Sequence, residues 1–209
     1  MNKVEYFPGV VGYSGLMPES IEYVLKISAI AETGKLSWMP MTTGRGNGHV
    51  ASVMPELRRG SVIGLNGVGK DVEIADALST LRSAADNAIG LCLRDYEKSY
   101  GYFDLEGEGW ALLKYEVGDF FKVHTDASRA YPRQVSTVYY INDDYVGGEI
   151  NFPDHKLKIK PKANSLIILP GNENYLHEVR KIVDNDRYSS AMWFQFTGST
   201  FNKKAEWYN

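Results

Sequence analysis

Two textures along the chain predict a mainly β fold with flanking helices. After Lys98, short runs rich in Val, Ile, Tyr and Phe are separated by Gly, Asn, Asp and Pro, the punctuation of strands joined by turns. Before it, longer stretches carry apolar residues at helical spacing. About eight such strands braced by helices suggest a double-stranded β-helix, a jelly-roll or cupin-like barrel with one open mouth. A third observation puts chemistry at that mouth: His124-Thr-Asp126 in one strand-like run, and His177 opening another.

The 209 residues suffice for one domain with a sizeable core and are few for two. We expect a single domain over 1–209: a helix-rich support region at 1–98, the barrel at 99–197 and a C-terminal tail at 198–209. A net charge of −3 offers no basic footprint, so no nucleic-acid partner is expected. The only cysteine, Cys92, leaves no internal disulfide and points to a reducing compartment. The Met1–Phe7 start has no signal-peptide core and no run approaches a membrane span. The expectation is therefore a soluble, cytoplasmic chain with no membrane partner. Oligomeric state is not legible.

In chain order, residues 1–16 read as a glycine-rich lead-in. Ile21, Val24, Leu25, Ile27 and Ile30 predict a packing helix over 18–31, stopped near Gly34. A short strand is expected at Trp38–Met41, then a glycine-rich loop at 42–49 whose Arg45 and His49 read as solvated. Gly64-Leu-Asn-Gly-Val-Gly69-Lys70-Asp71 mimics a phosphate-binding loop. Asp71 stands where Ser or Thr should ligate Mg²⁺, so a turn leading into a helix N-cap is the better reading. From Asp71 to about Tyr96 runs the longest helical pattern, with Cys92 packed inside it. Strands are then expected at 110–117, 120–125, 134–141, 149–152, 156–159, 165–169, 177–182 and 187–197. Lys156-Leu-Lys-Ile-Lys160 alternates strictly, which buries one face and wets the other.

On a strand, the period of two would put His124 and Asp126 on one face. His177, 51 residues after Asp126 (126 to 177), is far enough along to return to the same barrel mouth. Two imidazoles and one carboxylate suit non-haem Fe(II), holding one triangle of its coordination shell and leaving positions open. Ten residues on (177 to 187), Arg187 opens an apolar-aromatic run, where a permanent charge requires an anionic partner. A dicarboxylate chelating the metal at one end would supply that partner. His155, in a Pro-Asp-His-Lys turn, and His49 have no partners at ligand spacing.

Four motifs in this order carry a family resemblance: Tyr115-x-x-Gly118 before His124-x-Asp126, Val138-Tyr-Tyr-Ile-Asn142, Gly147-Gly148-Glu-Ile, and His177-Glu-Val followed by Arg187. Over roughly 115–196 the chain resembles the 2-oxoglutarate- and Fe(II)-dependent dioxygenases, in their prolyl 4-hydroxylase-like branch. The resemblance implies Fe(II) on His124, Asp126 and His177, with O2 and 2-oxoglutarate as co-substrates and ascorbate as an accessory reductant. It implies that Arg187 anchors the distal carboxylate of 2-oxoglutarate with a hydrogen bond from Tyr140, and that Tyr115 is a co-substrate or water contact; Ser189 shares the strand face of Arg187 and is expected to assist. Period two lets only one tyrosine of the Tyr139–Tyr140 pair face inward. Trp193 resembles an aromatic wall of the substrate pocket, and Arg133 matches by position a substrate-contacting arginine. Gly147 and Gly148 allow a tight turn and are assigned no chemistry.

The expected reaction is hydroxylation of a peptidyl proline, with a peptide or protein substrate. Hydroxylation of a small molecule or another side chain is the alternative. Collagen-type enzymes usually carry Lys at the Arg187 position, and the first half of the chain matches no motif. A nucleic-acid demethylase would need a second arginine that Asn185-Asp-Arg187-Tyr-Ser-Ser lacks. A phosphate-binding module and a non-catalytic metal-binding barrel are the remaining readings.

Overall fold

The computed structural model describes residues 1–16, 22, 25–26, 28–30, 33, 37–44, 52–64, 72–128 and 131–197. Runs carrying valine and aromatic residues on either side of the Pro8-Gly9 turn form a hairpin, β1 (Asn2–Phe7) and β2 (Val10–Ser14). Short strands follow: β3 (Met39–Pro40), β4 (Arg58–Arg59) and β5 (Ser61–Gly64). The long helix α1 (Val72–Tyr100) comes next. It is rich in Ala and Leu, which favour helix, and stops at Gly101, whose left-handed backbone (φ 72°) lets its N–H reach Glu97 O at 2.9 Å.

Thereafter come β6 (Leu105–Gly107), β7 (Ala111–Tyr115), β8 (Phe120–His124), β9 (Val135–Tyr140), β10 (Val146–Gly147) and β11 (Ile150–Phe152). The chain continues through β12 (Leu157–Ile159), β13 (Ser165–Pro170), β14 (His177–Val179), β15 (Ile182–Asp184) and β16 (Arg187–Phe196).

Among the described residues these strands form two facing antiparallel sheets and one small ribbon. The larger sheet runs β1-β2-β13-β9-β16-β7-β5-β3, with β6 also paired to β16; the smaller runs β12-β11-β14-β8-β4, and β10 pairs with β15. This is the expected double-stranded β-helix. Alternation gives the larger sheet two apolar faces. The outer face packs Val11, Tyr13, Leu112, Tyr139, Leu166 and Ile168 against Ala85, Ile89, Cys92, Leu93 and Tyr96 of α1. The inner face, with Leu113, Tyr115, Tyr140, Ile167 and Ala191, looks toward the smaller sheet. Polar contacts hold the hairpin on the helix: Tyr96 donates to Gly9 O (2.8 Å), Tyr13 to Asp95 (2.7 Å) and Lys3 to Asp95 (2.6 Å).

Three expectations change. Residues 1–16 are no lead-in: β2 is an interior strand paired with β1 and β13, with Val10 and Val11 fully buried. The run 177–182 splits at Arg180-Lys181 into β14 and β15, which belong to different sheets. The helical run extends to Tyr100. Of the helix expected over 18–31, Glu22, Leu25, Lys26 and Ser28 to Ile30 are helical and the rest lies outside the described residues. Arg45 and His49, the 65–71 part of the loop mimic with Lys70, Arg129 and the 198–209 tail also lie outside them.

Gly147 shows how tightly the site end of the barrel is closed. At φ 79°, a Cβ there would lie 2.2 Å from Lys181 O, whereas at Gly118 (φ 96°) the nearest atom is the flexible Lys181 Cε at 4.0 Å. A left-handed backbone costs a non-glycine residue about 1–3 kcal/mol by itself. Gly147→Ala should therefore destabilise the fold by more than Gly118→Ala, read as a larger drop in urea midpoint at unchanged m-value. Equal drops would mean that the Lys181 contact is immaterial.

Candidate active site

The His-x-Asp pair does not sit on a regular strand. His124 is the last residue of β8, and Asp126 lies in the bend beyond it. The β8–β14 ladder pairs His177 with His124 and Val179 with Phe121, so β8 carries one extra residue across that step. This bulge lets Phe121 and His124 both face inward although they are three apart; their rings stack at 3.5 Å. The following bend is clamped from outside. Gly171 O accepts from Thr125 Oγ1 (2.7 Å) and from Ala127 N–H (2.8 Å), and Arg133 Nη1 donates to Asp126 O (3.4 Å).

The three side chains converge. One ligand atom each from His124, Asp126 and His177 lies within 4.8 Å of the others. His124 Nδ1 is 2.8 Å from Lys122 O, and His177 Nδ1 is 2.9 Å from Tyr175 O. A carbonyl only accepts, so Nδ1 carries the hydrogen in both rings and Nε2 points inward. Each Nε2 stands 3.6 Å from an Asp126 carboxylate oxygen. Burial, reinforced by the facing His124, pushes His177 down to about 4 against the pull of Asp126. Burial alone would raise the Asp126 carboxyl, but His177, the His124 contact and Arg133 outweigh it and hold it well below the carboxylate range. His177 therefore turns a bare Nε2 lone pair toward the ionised Asp126 carboxylate. That arrangement is repulsive when empty and is what a divalent cation needs from its ligands.

A second group of polar atoms lacks partners. Arg187 is 1% exposed, and no acidic side chain among the described residues pairs with its guanidinium. Its Nε and Nη1, Ser189 Oγ and the hydroxyls of Tyr140 and Tyr145 are all buried without a well-formed hydrogen bond. The guanidinium lies 4.9 Å from the Tyr140 ring centre and 5.1 Å from that of Tyr115. Ladder register explains the grouping: Arg187 is opposite Tyr115, and Ser189 is opposite Tyr140. Tyr139 faces the other way, bonding Asn164 at 2.9 Å. Leaving a buried cation unpaired costs several kcal/mol, so this donor cluster is built for an anion. Tyr115, Phe121, Tyr145, Val179, Ile182 and Trp193 form one apolar cluster that joins it to the histidines.

Other expected residues fall at the rim. Trp193 shares the inward parity of Arg187 and stacks under the Arg133 guanidinium at 4.1 Å. Arg133 is already engaged: Nε and Nη2 grip both Glu108 oxygens at 2.8 and 2.7 Å. Tyr115 accepts from Arg58 Nη2 at 3.4 Å, while the Arg58 guanidinium lies 4.4 Å from the Phe121 ring centre. His155 stacks on Phe7 at 4.1 Å, apart from the cluster. Arg58, Glu108 and Tyr145 went unread in the sequence. Tyr145 alone had a signal, an aromatic residue between Asn142-Asp-Asp and Gly147-Gly148.

The geometry defines a barrel with a two-histidine, one-carboxylate metal cluster beside a buried anion subsite. Residues 110–195 match the family model of the 2OG-Fe(II) oxygenase superfamily. Its name supplies the metal and the co-substrate; the ligand set fits the first, and the unpaired Arg187 fits the second.

Solved structures share the fold. A prolyl hydroxylase from Trichoplax adhaerens, in complex with a hypoxia inducible factor oxygen degradation domain peptide fragment, is 19% identical. The match covers 89% of this chain and 83% of that one, with a TM-score of 0.66. The viral collagen prolyl hydroxylase of Paramecium Bursaria Chlorella virus-1, as its 2OG complex, is 18% identical over 90% and 96%, at 0.57. A Pseudomonas putida prolyl-4-hydroxylase is 17% identical over 91% and 94%, also at 0.57. No curated protein matches the sequence. No helix among the described residues is long and apolar enough to cross a membrane.

His177 fixes the sign of a pH effect. Its folded value of about 4 lies below the ordinary 6.5, so between these the unfolded chain binds more protons. Stability of the metal-free protein should be fully present above pH 6.5 and fall as pH drops toward 4, by up to about 3 kcal/mol. Urea unfolding at several pH values should show this slope, and His177→Gln should flatten it. An unchanged slope in the variant would assign the effect elsewhere.

Proposed function

We propose that the protein is an Fe(II)- and 2-oxoglutarate-dependent dioxygenase that hydroxylates proline within a peptide or protein. The observation that carries this is the pairing, in one barrel, of a metal-ready triad with an uncompensated buried arginine. His124, Asp126 and His177 would hold Fe(II). Arg187, Tyr140 and Ser189 would receive the distal carboxylate of 2-oxoglutarate, with Tyr115 closing its flank.

When bound, iron, O2 and 2-oxoglutarate supply the oxidising chemistry: the co-substrate leaves as succinate and CO2, and one oxygen atom enters a substrate C–H bond as hydroxyl. The residues' own work is positional. The Lys122 and Tyr175 carbonyls hold the imidazoles with Nε2 inward. The Gly171 carbonyl and Arg133 fix the bend that carries Asp126. The apolar cluster that includes Phe121, Val179, Ile182 and Trp193 would shield the reacting groups from water. At the rim, Trp193 and the Arg133 held against it by Glu108 would form the wall along which a peptide lies.

The shared fold of a prolyl hydroxylase whose structure includes a peptide supports the choice of substrate class. Hydroxylation of a small molecule is the second reading, favoured by the engagement of Arg133 with Glu108, which leaves fewer free donors at the rim. The single buried Cys92 fits a reducing, cytoplasmic setting.

The test is succinate formation under Fe(II), 2-oxoglutarate and oxygen, with proline-containing peptides examined by mass spectrometry for one added oxygen atom. Wild type should turn over with peptide stimulation. His124→Ala should abolish turnover, and Arg187→Ala should lower it by at least about thirtyfold, as expected for truncating one partner of a buried charge pair. Turnover without peptide stimulation would favour a small-molecule substrate. No turnover and no iron bound by wild type would overturn the reading.

A further inference from the structure

The anion subsite holds one donor more than its sequence motifs supply. Tyr145 is 1% exposed, and its hydroxyl is buried without a well-formed hydrogen bond, like the neighbouring Arg187, Tyr140 and Ser189 groups. It comes from the segment between β9 and β10, on neither of the strands that carry those groups. Its ring is pinned from two sides. Lys160 Nζ donates to the Tyr145 carbonyl and lies 4.9 Å from the ring centre. Beneath, Gly148 keeps the floor open: a Cβ there would come within 3.0 Å of Tyr145 Cε2 and 3.1 Å of Arg187 Cδ. The missing Cβ thus marks the point where the Tyr145 ring and the Arg187 stem meet.

We infer that Tyr145 is a further co-substrate-binding residue, donating its phenolic hydrogen to the same distal carboxylate that Arg187 grips. The inference rests on the reading of the site as a 2-oxoglutarate subsite. A carboxylate offers about four lone-pair positions. The Arg187 guanidinium can take one or two of these, which leaves the others for hydroxyls. Tyr140 and Ser189 come from the sheet, and Tyr145 comes from the segment between β9 and β10. The carboxylate is thereby enclosed, and the site selects for a ligand with a charged group at that end. Burial pushes the Tyr145 phenol up, and the neighbouring Arg187 offsets part of that.

The experiment measures binding, not turnover. Mn(II)-loaded wild type, Tyr145→Phe and Arg187→Gln are titrated by calorimetry with 2-oxoglutarate and with 2-oxopentanoate. The second ligand keeps the metal-chelating keto acid and replaces the distal carboxylate by a methyl group. Tyr145→Phe should weaken 2-oxoglutarate roughly tenfold or more, the size expected of a hydrogen bond to a charged group, and leave 2-oxopentanoate unchanged. Equal weakening of both ligands would mean that Tyr145 only packs the wall; no weakening of either would remove it from the site. Either result overturns the inference while Arg187→Gln still loses its preference for 2-oxoglutarate. If Arg187→Gln keeps that preference, the 2-oxoglutarate reading itself fails.

Discussion

The register of β16 is the constraint on which the site depends. This ten-residue strand pairs with β9 along one edge and with β7 and β6 along the other, so its alternation decides what faces the barrel interior. Arg187, Ser189, Ala191 and Trp193 share one face; Tyr188, Met192 and Phe194 look outward toward the helix side. A slip of one residue would exchange the two sets and drive the guanidinium into the apolar layer against α1. The outer face prevents it. Tyr139, Leu166, Ile168, Met192 and Phe194 lock with Ile89, Cys92 and Tyr96, and each buried large side chain contributes about 1.5–3 kcal/mol. The helix thus holds the chemistry in register without touching it.

Inside the barrel the electrostatics run against stability. A carboxylate faces two imidazole nitrogens, and a cation lies in an apolar wall with neither Nε nor Nη1 engaged. Each is a deficit of one sign, and they are joined by a short apolar cluster. The fold tolerates both because its backbone is over-determined there, through the Gly171 clamp, the carbonyl contacts to both Nδ1 atoms and the close glycine turn of Gly147-Gly148. Ligands that cancel the deficits would gain what the fold gives up in holding them, which is how preorganisation converts folding energy into binding.

Much of this was legible in the sequence, where local residue chemistry and a period of two suffice. The strand runs from residue 110 onward and the inward choice of Tyr140 over Tyr139 needed no more than alternation. A charged residue opening an aromatic run pointed to the Arg187 subsite. The rest depends on partners distant in the chain. The β1–β2 hairpin is punctuated by Pro and Gly, and its burial comes from β13 and α1, far along the sequence. Arg133 looked free because Glu108 stands 25 residues earlier. Tyr145 and Arg58 reach the site only through the folding of loops and edge strands. The β8 bulge has no signature, since Lys122 and Val123 read like any half-exposed strand.

That bulge leaves the middle of β8 with a residue to spare and indifferent to spelling. Lys122 and Val123 are exposed, so their side chains can drift with little penalty. Removing either residue would restore an even ladder in which Phe121 and the histidine stand two apart, still on one face. Over generations this segment should record substitutions freely and tolerate the loss of one of its two exposed residues, much as a surface loop does.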